Sequence, residues 1–135
     1  MKARKQFGFV RFSKIQEIID KSRDAMCDHL DALDRHLASN GPWIAGDTFT
    51  FADASWMVLL DRLEEADWSD YFWGAAMRAR LRDYWEQCKA RPSYQEQVAQ
   101  KRCPITRNGI RDVAAEKSSN PEYRRVLEHG PGVAV

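Results

Sequence analysis

Thr48-Phe49-Thr50-Phe51-Ala52-Asp53, running on into FADASWMVLLDRLEE over residues 51–65, is the stretch that decides how this chain folds. Thr50 has the side chain of a helix N-cap, and Asp53 stands three residues on. There a carboxylate accepts the backbone N–H of the cap and sits at the positive end of the helix dipole. Thr50 and Asp53 therefore form a structural capping box. Phe49, just before the cap, is placed to fold back on the first turns near Ala54 as a hydrophobic staple. The ten residues after the cap are apolar nearly all round apart from Asp53 and Ser55, the pattern of a helix buried in the middle of a bundle.

Upstream, Ser13-Lys14-Ile15-Gln16 has the form of a second capping box and predicts a helix start. From there Ile15, Ile19, Ser22, Met26, Leu30, Leu33 and Leu37 recur at steps of three and four, one stripe of a long amphipathic helix that Asn40-Gly41-Pro42 stops. Asp20, Asp24, Asp28, Asp31 and Asp34 read as its solvated face rather than a metal site, since a cation needs ligands converging from several directions. His29 and His36 are two turns apart, poorly spaced to share one ion.

Downstream, Trp68-Ser69-Asp70-Tyr71-Phe72-Trp73-Gly74 forms an aromatic connector, and Met77, Leu81, Tyr84, Trp85 and Cys88 then recur at helical spacing. Arg91-Pro92 ends that helix, because the residue before proline is pushed out of the helical region. Ser93-Tyr94-Gln95-Glu96 has the form of a further box, starting a helix that runs to about Lys101, and Cys103-Pro104 closes the compact part. Two short helices are expected beyond, one near residues 112–117 and one opened by Asn120-Pro121 and stopped at Gly130. No segment alternates with period two. The expected fold is all-α, a bundle of four to five helices around the buried central helix that begins at Phe51. It divides into a basic segment over residues 1–12, a helical domain over 13–103 and a tail over 104–135 that packs on the bundle.

Hydrophobic residues make up 44% of the 135 and charged residues 30%, the balance of a chain that folds into one domain. Net charge is +1, but residues 1–14 carry five basic and no acidic side chains, 15–74 carry four against thirteen, and 75–135 carry twelve against seven. Such asymmetry more often marks complementary faces than a nucleic-acid partner, and the basic tail has no interleaved aromatic residues. No apolar run is long enough for a membrane span and no cleavable leader is visible, so a cytoplasmic location is expected. Cys27, Cys88 and Cys103 have no pairing or zinc spacing and read as free thiols, with Cys103 the least implausible as a reactive one. No Ser-His-Asp set, phosphate loop or HExxH pattern is present; the reading names no catalytic, cofactor-binding or metal-ligating residue.

Residues 30–98 are similar to the C-terminal domain of soluble glutathione transferases. The pieces are LDALDRHL as the leucine-striped helix end, GPWIAGD as the loop, TFTFAD as the capped central helix, and the helix from Trp85 that ends at Arg91-Pro92-Ser93. The aromatic connector and tail loosely resemble the branch with reductive dehalogenases and aryl-ether-cleaving transferases.

In that family the residues matching Thr50 and Asp53 are a structural box important for folding. Glutathione is bound, and its thiol activated, by a thioredoxin-like domain of which nothing here shows the strands or active-site loop. The helix family members place before the one read from Ser13 also has no whole counterpart, as in a fragment or a truncated relative. The resemblance implies a domain that is not catalytic alone: it supplies the apolar wall for a small hydrophobic electrophile and contacts to a thioredoxin-like domain or a second copy in a homodimer. Trp56, Trp68, Tyr71, Phe72 and Trp73 are the candidate wall or exposed residues, with Trp56 and Trp85 read more simply as core. A stand-alone helical interaction module without enzymatic activity is the alternative.

Overall fold

The computed structural model describes residues 2–74 and 77–129, with side chains over 17–74 and 77–125. The elements in order are α1 (Lys2–Asn40), α2 (Phe51–Glu65), α3 (Ser69–Trp73), α4 (Ala79–Ala90), α5 (Pro92–Tyr94) continuing as a π-turn (Gln95–Ala99), α6 (Pro104–Ser119) and α7 (Pro121–His129). Among the described residues the only extended pairing is an isolated antiparallel bridge between Trp43 and Gly46, so the all-α expectation stands.

Helix α1 does not begin at Ser13. It runs unbroken from Lys2, about 58 Å in all, and Ser13 lies inside it because no proline interrupts the preceding residues. Its far end stops at Gly41, whose φ of +111° suits glycine alone. The core forms on the last third of α1, where Leu30, Leu33 and Leu37 are buried against Met57 and Leu60 of α2 and Leu81, Tyr84, Trp85 and Cys88 of α4. Each such apolar side chain contributes about 1.5–3 kcal/mol on burial. Earlier along the same stripe burial falls off: Met26 is half-buried, while Ile19 is 47% exposed and Ile18 beside it 64%.

Two of the aspartates read as solvated are joints instead. Asp34 Oδ1 accepts the Leu81 N–H at 2.8 Å, so α1 caps the first turn of α4 from outside. Asp31 accepts Arg78 Nε at 2.7 Å, and the same guanidinium donates to the Phe72 and Cys27 carbonyls. These bonds hold Arg78 at φ +47°, an unusual conformation for a side chain of that size. Asp20 and Asp24 each pair with Arg23 on their own helix.

Pro92 and Pro104 are helix starts. Arg91 is extended ahead of Pro92, which takes the first helical position of α5, so Ser93 falls inside the turn and its expected box does not form. Cys103 is extended in the same way ahead of Pro104, and α6 runs 16 residues where a short helix near 112–117 was expected. Arg91-Pro92 does end α4, at Ala90, as expected, and the proline's fixed φ and missing N–H also suit it to the first turn of the next helix. Asn120 Oδ1 accepts the Tyr123 N–H and so opens α7 as expected, while the stop at Gly130 lies outside the described residues. Phe72 and Trp73 of the aromatic connector are core, and Trp68 and Tyr71 are half-buried beside them.

Candidate functional site

Asp53 has no solvent exposure and four donors on its two carboxylate oxygens. Oδ2 accepts the Thr50 N–H at 2.7 Å and the Thr50 hydroxyl at 3.0 Å; Oδ1 accepts the Ile44 N–H at 2.9 Å and the Tyr84 hydroxyl at 3.1 Å. Burial works to raise its pKa, but the Ile44 and Thr50 N–H groups, with the two hydroxyls, outweigh it and hold the carboxyl below its ordinary value. Burial and the adjacent carboxylate push the Tyr84 phenol far up, so it stays a donor. The box at Thr50 and Asp53 is thus formed, and it also ties the loop at Ile44 and helix α4 to α2. Tyr84 was legible only as one apolar position on α4; nothing local in sequence marks it as a partner of Asp53.

The loop is fixed from its other side as well. His36 Nε2 lies 2.8 Å from the Ile44 carbonyl, which can only accept, so that nitrogen carries the proton and Nδ1 is left to accept from Asn40 Nδ2 at 3.2 Å. Phe49 turns to Trp43, edge-on at 5.1 Å, and the Arg91 guanidinium lies 3.7 Å over the Phe49 ring.

One stripe of α2 is not buried. Phe51 is 86% exposed and Val58 56%, seven residues apart and so on one face, with exposed Ser55 between them. An open groove of about 320 Å³ runs beside this stripe, lined by Met26 and His29 of α1 and Ser55, Trp56 and Leu59 of α2. Trp56 is therefore half-buried groove wall, whereas Trp85 is core.

Past Val58 a second cavity, about 370 Å³, lies between Met57 and Val58 on one side and Val98, Cys103 and Thr106 on the other. Its polar edge is a closed network. Asp61 accepts from the Tyr94 hydroxyl at 2.6 Å and from Arg102, whose Nε reaches Glu65 at 2.9 Å.

Cys88 is buried, and its thiol is pushed up to about 11 by that burial. Cys27 is half-buried. Cys103 is exposed at the start of α6, its thiol lowered by the Thr106 hydroxyl and then by the Thr106 and Ile105 N–H groups. No cluster of potential metal ligands occurs among the described residues, and no helix there is long and apolar enough to cross a membrane.

Glutathione, the cofactor implied by the resemblance, carries two carboxylates, an amine and a thiol, and needs converging donors. The groove beside Trp56 is apolar, and the Arg102 guanidinium at the second cavity is committed to Asp61 and Glu65. Neither of these two cavities fits it.

Comparison with known proteins agrees with this geometry. Residues 16–93 match the family described as glutathione S-transferase, C-terminal domain. The chain is 35% identical over 88 residues to a 2,5-dichlorohydroquinone reductive dechlorinase of Sphingobium indicum, covering 64% of this chain and 24% of that one. It is 39% identical over 66 residues to the tetrachloro-p-hydroquinone reductive dehalogenase of Sphingobium chlorophenolicum, covering 49% and 25%. With glutathione S-transferase 3 of Zea mays the identity is 37% over 82 residues, covering 61% and 36%. The chain thus spans about a quarter to a third of the length of these relatives. No solved structure gives a significant match. The capped central helix, its place in the bundle and the matched stretch together make this chain a member of the glutathione S-transferase C-terminal domain family.

Proposed function

We propose that the chain is the helical half of a glutathione transferase-like protein, in which the open face of α2 does the functional work. Phe51, Val58 and the groove walled by Met26, Trp56 and Leu59 form a surface that docks a thioredoxin-like, glutathione-binding domain or a second copy of the chain. Part of the groove serves as the apolar wall against a small hydrophobic electrophile. The relatives' names, a dichlorohydroquinone dechlorinase and a tetrachlorohydroquinone dehalogenase, support a halogenated aromatic ring as that electrophile. The chain supplies no nucleophile for the reaction. Thiol activation belongs to the glutathione-binding domain, carried on the same polypeptide or another, and a cytoplasmic setting follows from the need for reduced glutathione.

The observation that carries this reading is the 86% exposure of Phe51, a large apolar side chain in the first turn of the helix that Asp53 ties to the loop and to α4. An apolar stripe left in water invites association. Sedimentation of the wild-type chain against Phe51→Ser/Val58→Ser tests it. Concentration-dependent self-association in the wild type that the double variant loses, with an unchanged helical circular-dichroism spectrum, is the expected outcome. A wild-type chain that stays monomeric and binds no apolar dye removes the basis for a docking face.

A further inference from the structure

Helices α6 and α7 lie beyond residues 16–93, the stretch that defines the family match. No residue of α6 is buried, nor is any of residues 121–125. Charge fixes this arm to the bundle, at two points of different kinds. At its root, Arg102 lies between Asp61 and Glu65, whose side chains are only 4% and 9% exposed. Farther along, Lys117 reaches Asp67 at 3.1 Å and Asp70 at 3.0 Å, and there the carboxylates are 32% and 60% exposed. The end of α6 is then braced by Arg124, which donates to the Lys117 and Ser118 carbonyls, and α7 lies against α3.

These two clasps answer differently to salt. A pair sheltered from solvent is screened little, whereas exposed charges lose most of their attraction as the Debye length falls from about 10 Å at 0.1 M to about 3 Å at 1 M. Breaking the root would leave the nearly buried Asp61 with the Tyr94 hydroxyl and no cation, and Glu65 with Arg62 alone, which is unfavourable. Breaking the outer clasp releases groups that water readily takes up, at a cost of roughly 1 kcal/mol or less for each pair. Between them, Cys103 is extended and Pro104 cannot donate a backbone hydrogen bond, so residues 102–104 form a natural pivot.

We infer that α6–α7 is a strap hinged at residues 102–104 and latched by Lys117 on Asp67 and Asp70, which opens as ionic strength rises. Opening uncovers the side of α3 against which α7 packs, while the core around Asp53 stays closed. Opening leaves Phe51 and the groove beside Trp56 as they are, although Val58 of the docking stripe also lines the cavity at the strap's root.

Amide hydrogen exchange read by mass spectrometry on the full chain tests it. Between about 0.1 M and 1 M sodium chloride, amides of residues 107–125 should exchange roughly fivefold faster while those of α2 and α4 hold, the size expected from screening one partly exposed clasp. Lys117→Met should exchange fast in this region already at low salt and lose the salt response. Lys117→Glu with Asp67→Lys and Asp70→Lys should restore slow, salt-sensitive exchange. Exchange over 107–125 that ignores both salt and Lys117→Met would overturn the proposal, showing an arm held by the half-buried Ile110, Val113 and Tyr123 instead. Faster exchange in α2 and α4 alongside the arm would also overturn it, since the whole bundle and not a strap would then be opening.

Discussion

Removing the Asp53 carboxylate strands the Ile44 N–H, the Thr50 N–H and the Tyr84 hydroxyl together in a site that water does not reach. Asp53→Ala is accordingly expected to lower unfolding stability by about 3 kcal/mol or more, measured by urea titration. Tyr84→Phe removes one of the four donors and should cost about 1 kcal/mol. The carboxyl also sets a pH dependence. Its folded pKa lies below the unfolded value near 3.8, so its contribution is complete above that value and is lost as pH falls through the lower folded one. Wild-type stability should therefore drop more steeply than that of Tyr84→Phe as pH is lowered below about 4, because the variant's carboxylate is held by one donor fewer. Thr50 and Asp53 were legible from a spacing of three residues. Their partners at Ile44 and Tyr84 were not, since contacts made across the fold leave no local pattern.

At the scale of elements, Asp34 and Gly74 show how helix ends decide the packing. Asp34 caps α4 from α1 at 2.8 Å, so Asp34→Ala should cost about 1 kcal/mol in a thermal or urea melt, as the loss of an N-cap does elsewhere. Gly74 closes α3 so tightly that a Cβ on it would stand 2.3 Å from the Asp70 carbonyl oxygen. Gly74→Ala therefore has to move backbone, with an expected loss of about 2 kcal/mol and a loosened Phe72–Trp73 corner visible in near-ultraviolet circular dichroism. The sequence made α2, α4 and the C-terminal part of α1 readable because their leucines and aromatics recur with the helical period over several turns. It misplaced the starts of α1, α5 and α6. A capping-box pattern at Ser13 or Ser93 forms only where the preceding residue leaves the helix, and nothing at Phe12 makes it do so, while Pro92 starts its helix one residue early.

For the whole molecule, the bundle has an anchored centre and open margins. Asp53, Tyr84 and the leucines of α1 fix the centre; Phe51, Val58 and the groove beside Trp56 remain open on one side, and Ile18 and Ile19 of α1 are exposed. The all-α class followed from periodicity alone, but the open stripe did not, because an apolar helix reads the same whether its last face meets core, a second domain or water. The exposed stripe and the poor fit of the two cavities beside α2 to glutathione support the proposal that this chain shapes a site whose chemistry is done by another domain. Calorimetric titration of glutathione into the chain, with a thiol-conjugation assay on the same sample, tests that claim most directly. Neither saturable heat nor turnover is the result it predicts; glutathione binding accompanied by turnover would contradict it.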